Sequence, residues 1–366
     1  MSNWTTLATS NIQRIVDSTL EDIRTKPGTL LFVNRIPSVS AMDGEIMAAY
    51  TGRVVVADII GTDQRAVTRT PGTVTMESTT IPTIKHGEHI NTEMLYLLDR
   101  INRNVATTRE ANVFADYVGR RVADLVTGVL QREEVLLLSM LQDAVSYDKL
   151  GIQFSGSWGA PSECKVTIST AWTNTSSATP ITDILTARNT VRNKYGIDYN
   201  RVTMTLTDFL EMLGTAQVQN MIQVFNNIPV PSGFTFPTAM AQTLQPLVSR
   251  ILGMDIELYD MQYGYENNYG TVTYANYLPE GKILLTDSRR DNAAADWDWA
   301  NGELLETQPG MVPSMIGGFS GAMEGPVGYA TAGDPQGNPP SITLWAAARG
   351  FPRRHNKAVA CVLTNP

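Results

Sequence analysis

Charge is scarce in this chain. Lys, Arg, Asp and Glu make up 17% of its 366 residues, against about a quarter in an ordinary globular protein. A low charge density leaves neutral surface, which suits a protein that hides much of itself against neighbours. A basic excess is missing too: formal net charge is −8 at pH 7. That argues against gripping nucleic acid by its phosphates, whereas an acidic wall would keep an enclosed duplex from sticking. Cysteine is limited to Cys164 and Cys361, which excludes a disulfide framework and leaves two buried thiols of a reducing compartment as the reading. Long apolar runs are absent. The most apolar short stretch, Val135–Leu141, falls far below the roughly 20 residues that cross a bilayer. No basic segment followed by an apolar one marks a signal peptide at the start. The expectation is a soluble protein used inside a cell, with no membrane partner.

Catalytic grammar is also sparse. Three histidines offer few general bases, and none stands in a Ser-His-Asp pattern. GxSxG, HExxH, a Walker glycine loop and a dinucleotide fingerprint are missing. Glu133-Glu134 sits in a long helical pattern and reads as a solvated face rather than an acid–base pair. His86-Gly-Glu-His89 has two histidines three apart, but Gly87 weakens a helix there, so it reads as a neck and not a metal site. Ala295–Ala300 (ADWDWA) is acidic, yet lacks the glycine and spacing of a calcium loop. Tyrosine concentrates over Tyr259–Tyr277, with no basic partners for stacking on nucleic acid; polar, aromatic hairpin strands explain it with less. The expectation is no enzyme, no metal and no cofactor.

What is present is an order of elements. Residues 11–24 put Ile12, Ile15, Val16, Leu20 and Ile23 on one helical face, stopped by Pro27-Gly28. So short a helix needs a partner surface, either its own core or another subunit. Gly52–Ile60 and Thr73–Ile84 are strand-like and flank a polar tip carrying Arg65 and Arg69. Such a ribbon is marginal alone and must lie on something, its own domain or a neighbour. Asn91–Ile101 is a helix, and a second, very long one runs from about Arg109 to Tyr147, with an apolar stripe at 3–4 spacing. Then comes Ile181–Leu213: a helix with Ile184, Ala187 and Val191 inward, Gly196 as its stop, an alternating half-buried strand at Arg201–Leu206, and a helix capped by Thr207 or Asp208. Helices at Gln217–Phe225 and Ala239–Leu252 and a strand at Asp255–Tyr259 follow. Residues 307–340 read as irregular. Ile342–Ala348 and Ala358–Leu363 read as strands joined by the basic turn Phe351–Lys357.

The Ile181–Leu213 phrase, with Asp260–Tyr263 and Tyr277–Leu285 (YLPEGKILL), resembles the lambda capsid protein E family of tailed-phage major capsid proteins, which shares the Hong Kong 97 phage capsid fold. The resemblance implies an α+β chain divided as residues 1–50, an N-terminal arm; 51–86, an extended β-hairpin loop; 87–175, a peripheral domain with a long spine helix; 176–335, an axial domain; and 336–366, strands returning to the peripheral domain. It implies a structural subunit assembling as hexamers and pentamers into an icosahedral shell around double-stranded DNA. A chain that opens on the arm helix implies a separate scaffold protein, with a portal and optionally a decoration protein as further partners. The place implied is the virion, after assembly in the host cytoplasm. Candidate contacts between subunits are Ile12 and Ile15 on the arm, Arg65, Arg69 and Glu77 on the ribbon, and Arg353, Arg354 and Lys357 in the basic turn. Lys85, the only lysine near the ribbon, sits at its base, so a covalent lysine–asparagine crosslink is not expected. The competing readings are a tyrosine-rich carbohydrate-binding or decoration module and a hydrolase without a motif.

Overall fold

The computed structural model describes residues 15–22, 30–41, 46–51, 73–78, 81–103, 105–149, 152–226, 236–266, 271–302, 327–332 and 342–366. The chain divides into two compact units. One comprises Met1–Glu45, Ser78–Leu136 and Trp299–Pro352; the other Ile46–Glu77, Leu137–Asp298 and Arg353–Pro366.

In the first unit, residues 15–22 form helix α1. After a turn at residues 30–36 come the short strand β1 (Ser38–Ser40) and strand β4 (Thr83–His89); β2 (Ile46–Thr51) and β3 (Thr73–Ser78), which fall in the second unit but for Ser78, pair with each other as a two-stranded ribbon. Helix α2 (Thr92–Asn102) starts where the Asn91 side chain accepts from the Met94 amide. Helix α3 (Thr108–Leu141) starts on a capping box: Thr107 Oγ1 accepts from the Glu110 amide, and the Glu110 carboxylate accepts from the Thr107 amide. Its 34 residues span about 51 Å at 1.5 Å per residue. Phe114, Val122, Leu125, Val126, Val129 and Leu130 are buried while Arg120 and Asp124 are exposed, as the 3–4 spacing predicts. Gly128 lets the helix approach β4: a Cβ there would sit 2.5 Å from the His86 imidazole. The exposed His86 ring thus lies against α3, and His89 Nδ1 lies 2.8 Å from Thr343 Oγ1.

The sheet here orders as β1, β13 (Trp297–Asn301), β15 (Ile342–Arg354) and β14 (Val327–Ala332), with β4 also on β15. Strand β15 is long enough to pair with β14 over Ile342–Ala347 and with β4 over Thr343–Arg349. Strand β14 falls inside the stretch expected to be irregular.

The long helix ends at Leu141, six residues before the expected Tyr147. Asp143 takes a left-handed conformation, φ 55°, which halts the helix. Val145–Lys149 (β5) then pairs with Ile152–Gly156 (β6) as a hairpin.

The second unit is built on a sheet ordered β7 (Lys165–Thr167), β16 (Cys361–Thr364), β12 (Lys282–Thr286), β8 (Arg201–Met204) and β9 (Asp255–Leu258). Helices α4 (Pro180–Tyr195), α5 (Leu206–Gly214), α6 (Ala216–Asn226) and α7 (Thr238–Leu252) bury Ile184, Val191, Phe209, Met212, Val218 and Val248 against it. Gly196 ends α4 at φ 73°, as the sequence predicts. Two expectations fail on particulars. Strand β8 is buried on both faces, not one: its polar face is covered by side-chain partners, Thr203 by Glu257 and Arg201 by a two-pronged pair with Asp291 at 2.6 and 3.2 Å. The cap of α5 is Thr205, whose hydroxyl accepts from the Asp208 amide.

The last two strands are not a hairpin. Strand β15 belongs to the first sheet, while β16 inserts between β7, parallel, and β12, antiparallel, in the second. Residues 353–366 thus stay with the second unit. Strand β12 is entered through Gly281 at φ 74°, where a Cβ would meet the Asn365 carbonyl at 2.5 Å. Gly281→Ala is expected to cost about 2–3 kcal/mol, from positive-φ strain plus the clash. A denaturation midpoint within experimental error of the parent protein would refute this.

Candidate assembly interface

The candidate contact residues separate once placed. Ile12, Arg65 and Arg69 lie outside the described residues. Glu77 is in β3 of the ribbon. Ile15 packs on its own chain: its Cδ1 lies 3.9 Å from where a Cβ on Gly119 of α3 would stand, and Val16 beside it is fully buried. The described part of the arm helix therefore covers its own α3.

The basic turn is corrected more sharply. Arg353 and Arg354 are not surface cations. Arg353 is 7% exposed, and its guanidinium donates to both oxygens of Asp298 at 2.7 and 2.8 Å. Arg354 is 0% exposed and donates to the carbonyls of Met140 (3.2 Å), Asn356 (3.4 Å) and Ala360 (2.9 Å). Lys357 is half-buried, with Nζ 3.2 Å from where a Cβ on Gly159 would stand. Neither arginine has surface left to offer a neighbour. The acidic ADWDWA run is consumed by the same network. Asp296 pairs with Arg290 and accepts from the Asn356 amide side chain, and Asp298 serves Arg353 with His355 Nε2 at 3.0 Å.

Burial alone would raise the Asp298 carboxyl, but its hydrogen bonds with His355 and Arg353 outweigh burial and hold it below the usual value. A lowered carboxyl contributes stability that is present above its unfolded value, near 3.9, and is lost as pH falls through the folded value. Acid unfolding, followed by tryptophan fluorescence, is expected to draw on this group below about pH 4. Asp298→Asn should be less stable at neutral pH and show a shallower loss in that window. An unchanged acid slope would refute the assignment.

Some exposed side chains are apolar or aromatic. On the second unit, Val224 (80% exposed) and Phe225 (61%) stand at the end of α6, and Met240 is exposed in the first turn of α7. The hairpin of β10 (Gln262–Glu266) and β11 (Val272–Asn276) exposes Val272 and Tyr274 on one face, packed over Gly264. Its other face carries a tyrosine ladder: Tyr259 to Tyr277 at 6.0 Å, Tyr277 to Tyr263 at 5.0 Å, Tyr263 to Tyr265 at 5.9 Å between ring centres. Tyr259 and Tyr277 are buried while Tyr265 is 38% exposed, so the ladder is packed at one end and opens to solvent only at the other. On the first unit, Tyr96, Val105 and Val113 are exposed on α2, the following turn and α3. Single exposed apolar side chains are ordinary; Val224 and Phe225 are neighbours, which makes them candidates for a contact surface. Sequence reasoning missed Val224 and Phe225. Their signal was an apolar pair at the end of a helical pattern, just before a sequence with two prolines close together.

Charge is sorted between the ends of the second sheet. At the end where β8 and β9 finish, the Asp260 carboxylate accepts from the Leu206 amide, Asp208 accepts from the Gly281 amide, Glu211 accepts from Asn365, and Glu280 is exposed beside Thr207. Burial raises the Asp208 and Glu211 carboxyls, and for both the nearby charge of Glu280 adds to it. At the other end, Arg188 forms a two-pronged pair with Asp198 at 2.8 and 3.1 Å, and Arg289 donates to the Asp198 carbonyl and the Asp287 carboxylate. The Arg188 bonds, joined by the charges of Arg192 and Arg289, hold the Asp198 carboxyl low.

Among the described residues no group of three His, Cys, Asp or Glu is placed to hold a metal ion, and no helix is long and apolar enough to cross a membrane.

Comparison with known proteins agrees. The sequence profile of phage major capsid protein E matches residues 46–294. No curated protein matches by sequence. Among solved structures, a chain assigned as the capsid protein of a prophage of Escherichia coli CFT073 is 13% identical, with a TM-score of 0.59 over 98% of this chain and 99% of that one; it shares the fold. A phage-related protein from Bordetella bronchiseptica RB50 is 10% identical with a TM-score of 0.49, over 96% of each chain. A subunit of the bacteriophage PhiM1 mature capsid is 8% identical with a TM-score of 0.43, over 91% of this chain and 86% of that one.

Proposed function

This chain belongs to the phage major capsid protein E family, and from that membership we propose how it builds its shell. It is a structural capsid subunit. Copies associate as hexamers and pentamers that close into an icosahedral head, with a separate scaffold, a portal and optional decoration protein as partners, in the cytoplasm of the host. The chain works by association and not by turnover. The acidic balance, −8 at pH 7, suits a wall that encloses double-stranded DNA without holding it by sequence.

The observation that carries this reading beyond family membership is the apolar surface at Val224, Phe225 and Met240. A side chain as open as Val224 contributes little to the fold of a single copy, so a second copy is its partner. Many weak contacts of this kind, repeated around closed rings, add up to a stable shell. The ribbon of β2 and β3, with Arg65, Arg69 and Glu77, and the division into arm, loop, peripheral and axial domains stay part of the proposal.

Negative-stain microscopy with sedimentation of the purified protein tests it. Shells, tubes or five- and six-membered rings are expected. A species that stays near 40 kDa with crowding agents and scaffold present would overturn it. Val224→Asp with Phe225→Asp should leave the melting temperature within about 2 °C, as surface changes do, while lowering the assembled fraction by about tenfold or more. Full assembly of that variant would remove this patch from the interface.

A further inference from the structure

Glu280 and Arg192 stand at opposite ends of one sheet. The register fixes which end is which. Strand β8 pairs Arg201 with Thr286 and with Asp255, and Met204 with Leu258. Residues that lead into β8 or leave β12 therefore share one end: Asp198, Asn200, Asp287 and Arg289, tied by Asn200 N to Thr286 O and Ser288 N to Asn200 Oδ1. Residues that leave β8 or lead into β12 share the other: Asp208, Asp260, Glu280 and Gly281, tied by Tyr259 N to Met204 O and Gly281 N to Asp208. With four or five residues per strand the ends lie roughly 15 Å apart.

Helix direction sets the polarity of each end. Helices α4 and α7 both finish at the Arg201 end, with Arg192 and Arg250 in their last turns, where cations suit a helix C-terminus. Helix α5 starts at the other end, with Asp208 in its first turn. Between Arg250 and Lys282 the chain has no Lys or Arg at all. One end thus presents Glu280, Asp260 and Glu211 with Lys282 as the nearby cation; the other presents exposed Arg192, Arg250 and Arg289, with Asp198, Asp255 and the Arg289 partner Asp287 among them.

We infer that neighbouring copies meet head to tail through this sheet, the Glu280 end of one copy against the Arg192 end of the next. This rests on the capsid reading and deepens it, by naming the contact and its sense. Two different, complementary patches on one chain make a heterologous contact, and a heterologous contact closes into a ring when its rotation allows. A face-to-face pair would set like charges together, which costs association free energy and suppresses that arrangement. The crowded carboxylates at the Glu280 end gain an arginine partner on docking, and the Arg192 end gains a carboxylate.

Charge swapping tests it, because the two ends are on the same chain. Glu280→Lys makes both ends cationic and Arg192→Glu makes both ends anionic. Each single variant is expected to need about tenfold more protein to assemble, like charges now facing across every contact of the ring. The double variant, with the polarity of both ends reversed, is expected to assemble as the parent does. An equimolar mixture of the two single variants should give alternating rings. Alternation closes on six copies and not on five, so rings of six and tubes are expected without closed shells. Circular dichroism checks that each variant is folded. The neutral variants Glu280→Gln and Arg192→Gln, milder to the fold, should weaken assembly by a smaller factor. Single variants that assemble like the parent, or a folded double variant that does not recover, would overturn the head-to-tail contact while leaving the capsid reading intact. A parent protein that never assembles would overturn both.

Discussion

Arg354→Ala is expected to lower stability by about 4 kcal/mol or more, enough to abolish folding near 37 °C in a marginally stable unit. The side chain is completely buried, and its guanidinium feeds three carbonyls, of Met140, Asn356 and Ala360. The Met140 carbonyl also accepts from the Asp143 amide and the Asn356 carbonyl from the Val359 amide, each at 3.1 Å. Removing the fork takes one donor from all three carbonyls, costs most at Ala360, at about 1–3 kcal/mol if it stays dry, and leaves a cavity that adds about 2 kcal/mol or more. Burial pushes the guanidinium below its ordinary value, with Tyr199, Cys164, Asp143 and Cys361 acting in the opposite sense; an arginine stays charged under such pressure where a lysine yields. Arg354→Lys should therefore recover only part of the loss, since one ammonium on a thinner stem cannot reproduce the planar fork. Urea denaturation of the three proteins decides it: a shift below about 1 kcal/mol for Arg354→Ala would show that water replaces the side chain.

Arg354 also shows where sequence reading fails. Phe351–Lys357 carries three cations and a histidine in seven residues, and so reads as an exposed basic turn. Charge is legible in a sequence; what pairs with it is not. The partners of Arg353 and Arg354 lie 55 and 214 residues away, at Asp298 and Met140. The same limit explains strand β16. Its apolar residues mark a strand, but nothing local says that it enters between β7 and β12 instead of turning back on β15, because strand pairing is decided by distant surfaces. Strand β8 was read as half-buried for the same reason: Arg201, Thr203 and Thr205 alternate with apolar residues, yet Thr203 meets Glu257 and Arg201 meets Asp291, so the polar face is covered as well.

Local signals fared differently. The stop of α4 at Gly196 and the start of α2 at Asn91 are short-range chemistry and stand in the structure as the residues imply. The apolar stripe of α3 is legible because packing repeats every three to four residues along one helix. Its end was overrun, since a single left-handed residue, Asp143, stops it and aspartate is not the usual marker. The assembly surface was legible in kind and not in place. The low charge density pointed to covered surface, while Val224, Phe225 and the two charged ends of the sheet became visible only once the helices had directions.

Glu134 was read as part of a solvated face, and it carries the second large expectation. It is fully buried on α3. Its Oε1 accepts from the amides of Leu31 and Phe32 at 3.0 and 3.1 Å, and its Oε2 from those of Phe32 and Val33 at 3.0 and 2.8 Å. One carboxylate thus satisfies three successive N–H groups of the turn at residues 30–36, where Phe32 is itself fully buried. Hydrogen bonds to an ionised acceptor are worth about twice neutral ones. Glu134→Gln keeps the shape, removes the charge and points an NH2 at groups that also donate, so the turn should lose about 2 kcal/mol or more of local stability. Hydrogen exchange reads this directly. The Leu31, Phe32 and Val33 amides should exchange about 30-fold faster, the factor that 2 kcal/mol commands. The α3 amides around Val126, one face of which is packed independently, should change little. Since this turn leads into β1, which pairs with β13, the loss also predicts looser seating of the N-terminal segment and poorer assembly at the same protein concentration. Unchanged exchange at all three amides would mean that water or a neighbouring group replaces the carboxylate, and that Glu134 does not hold the turn.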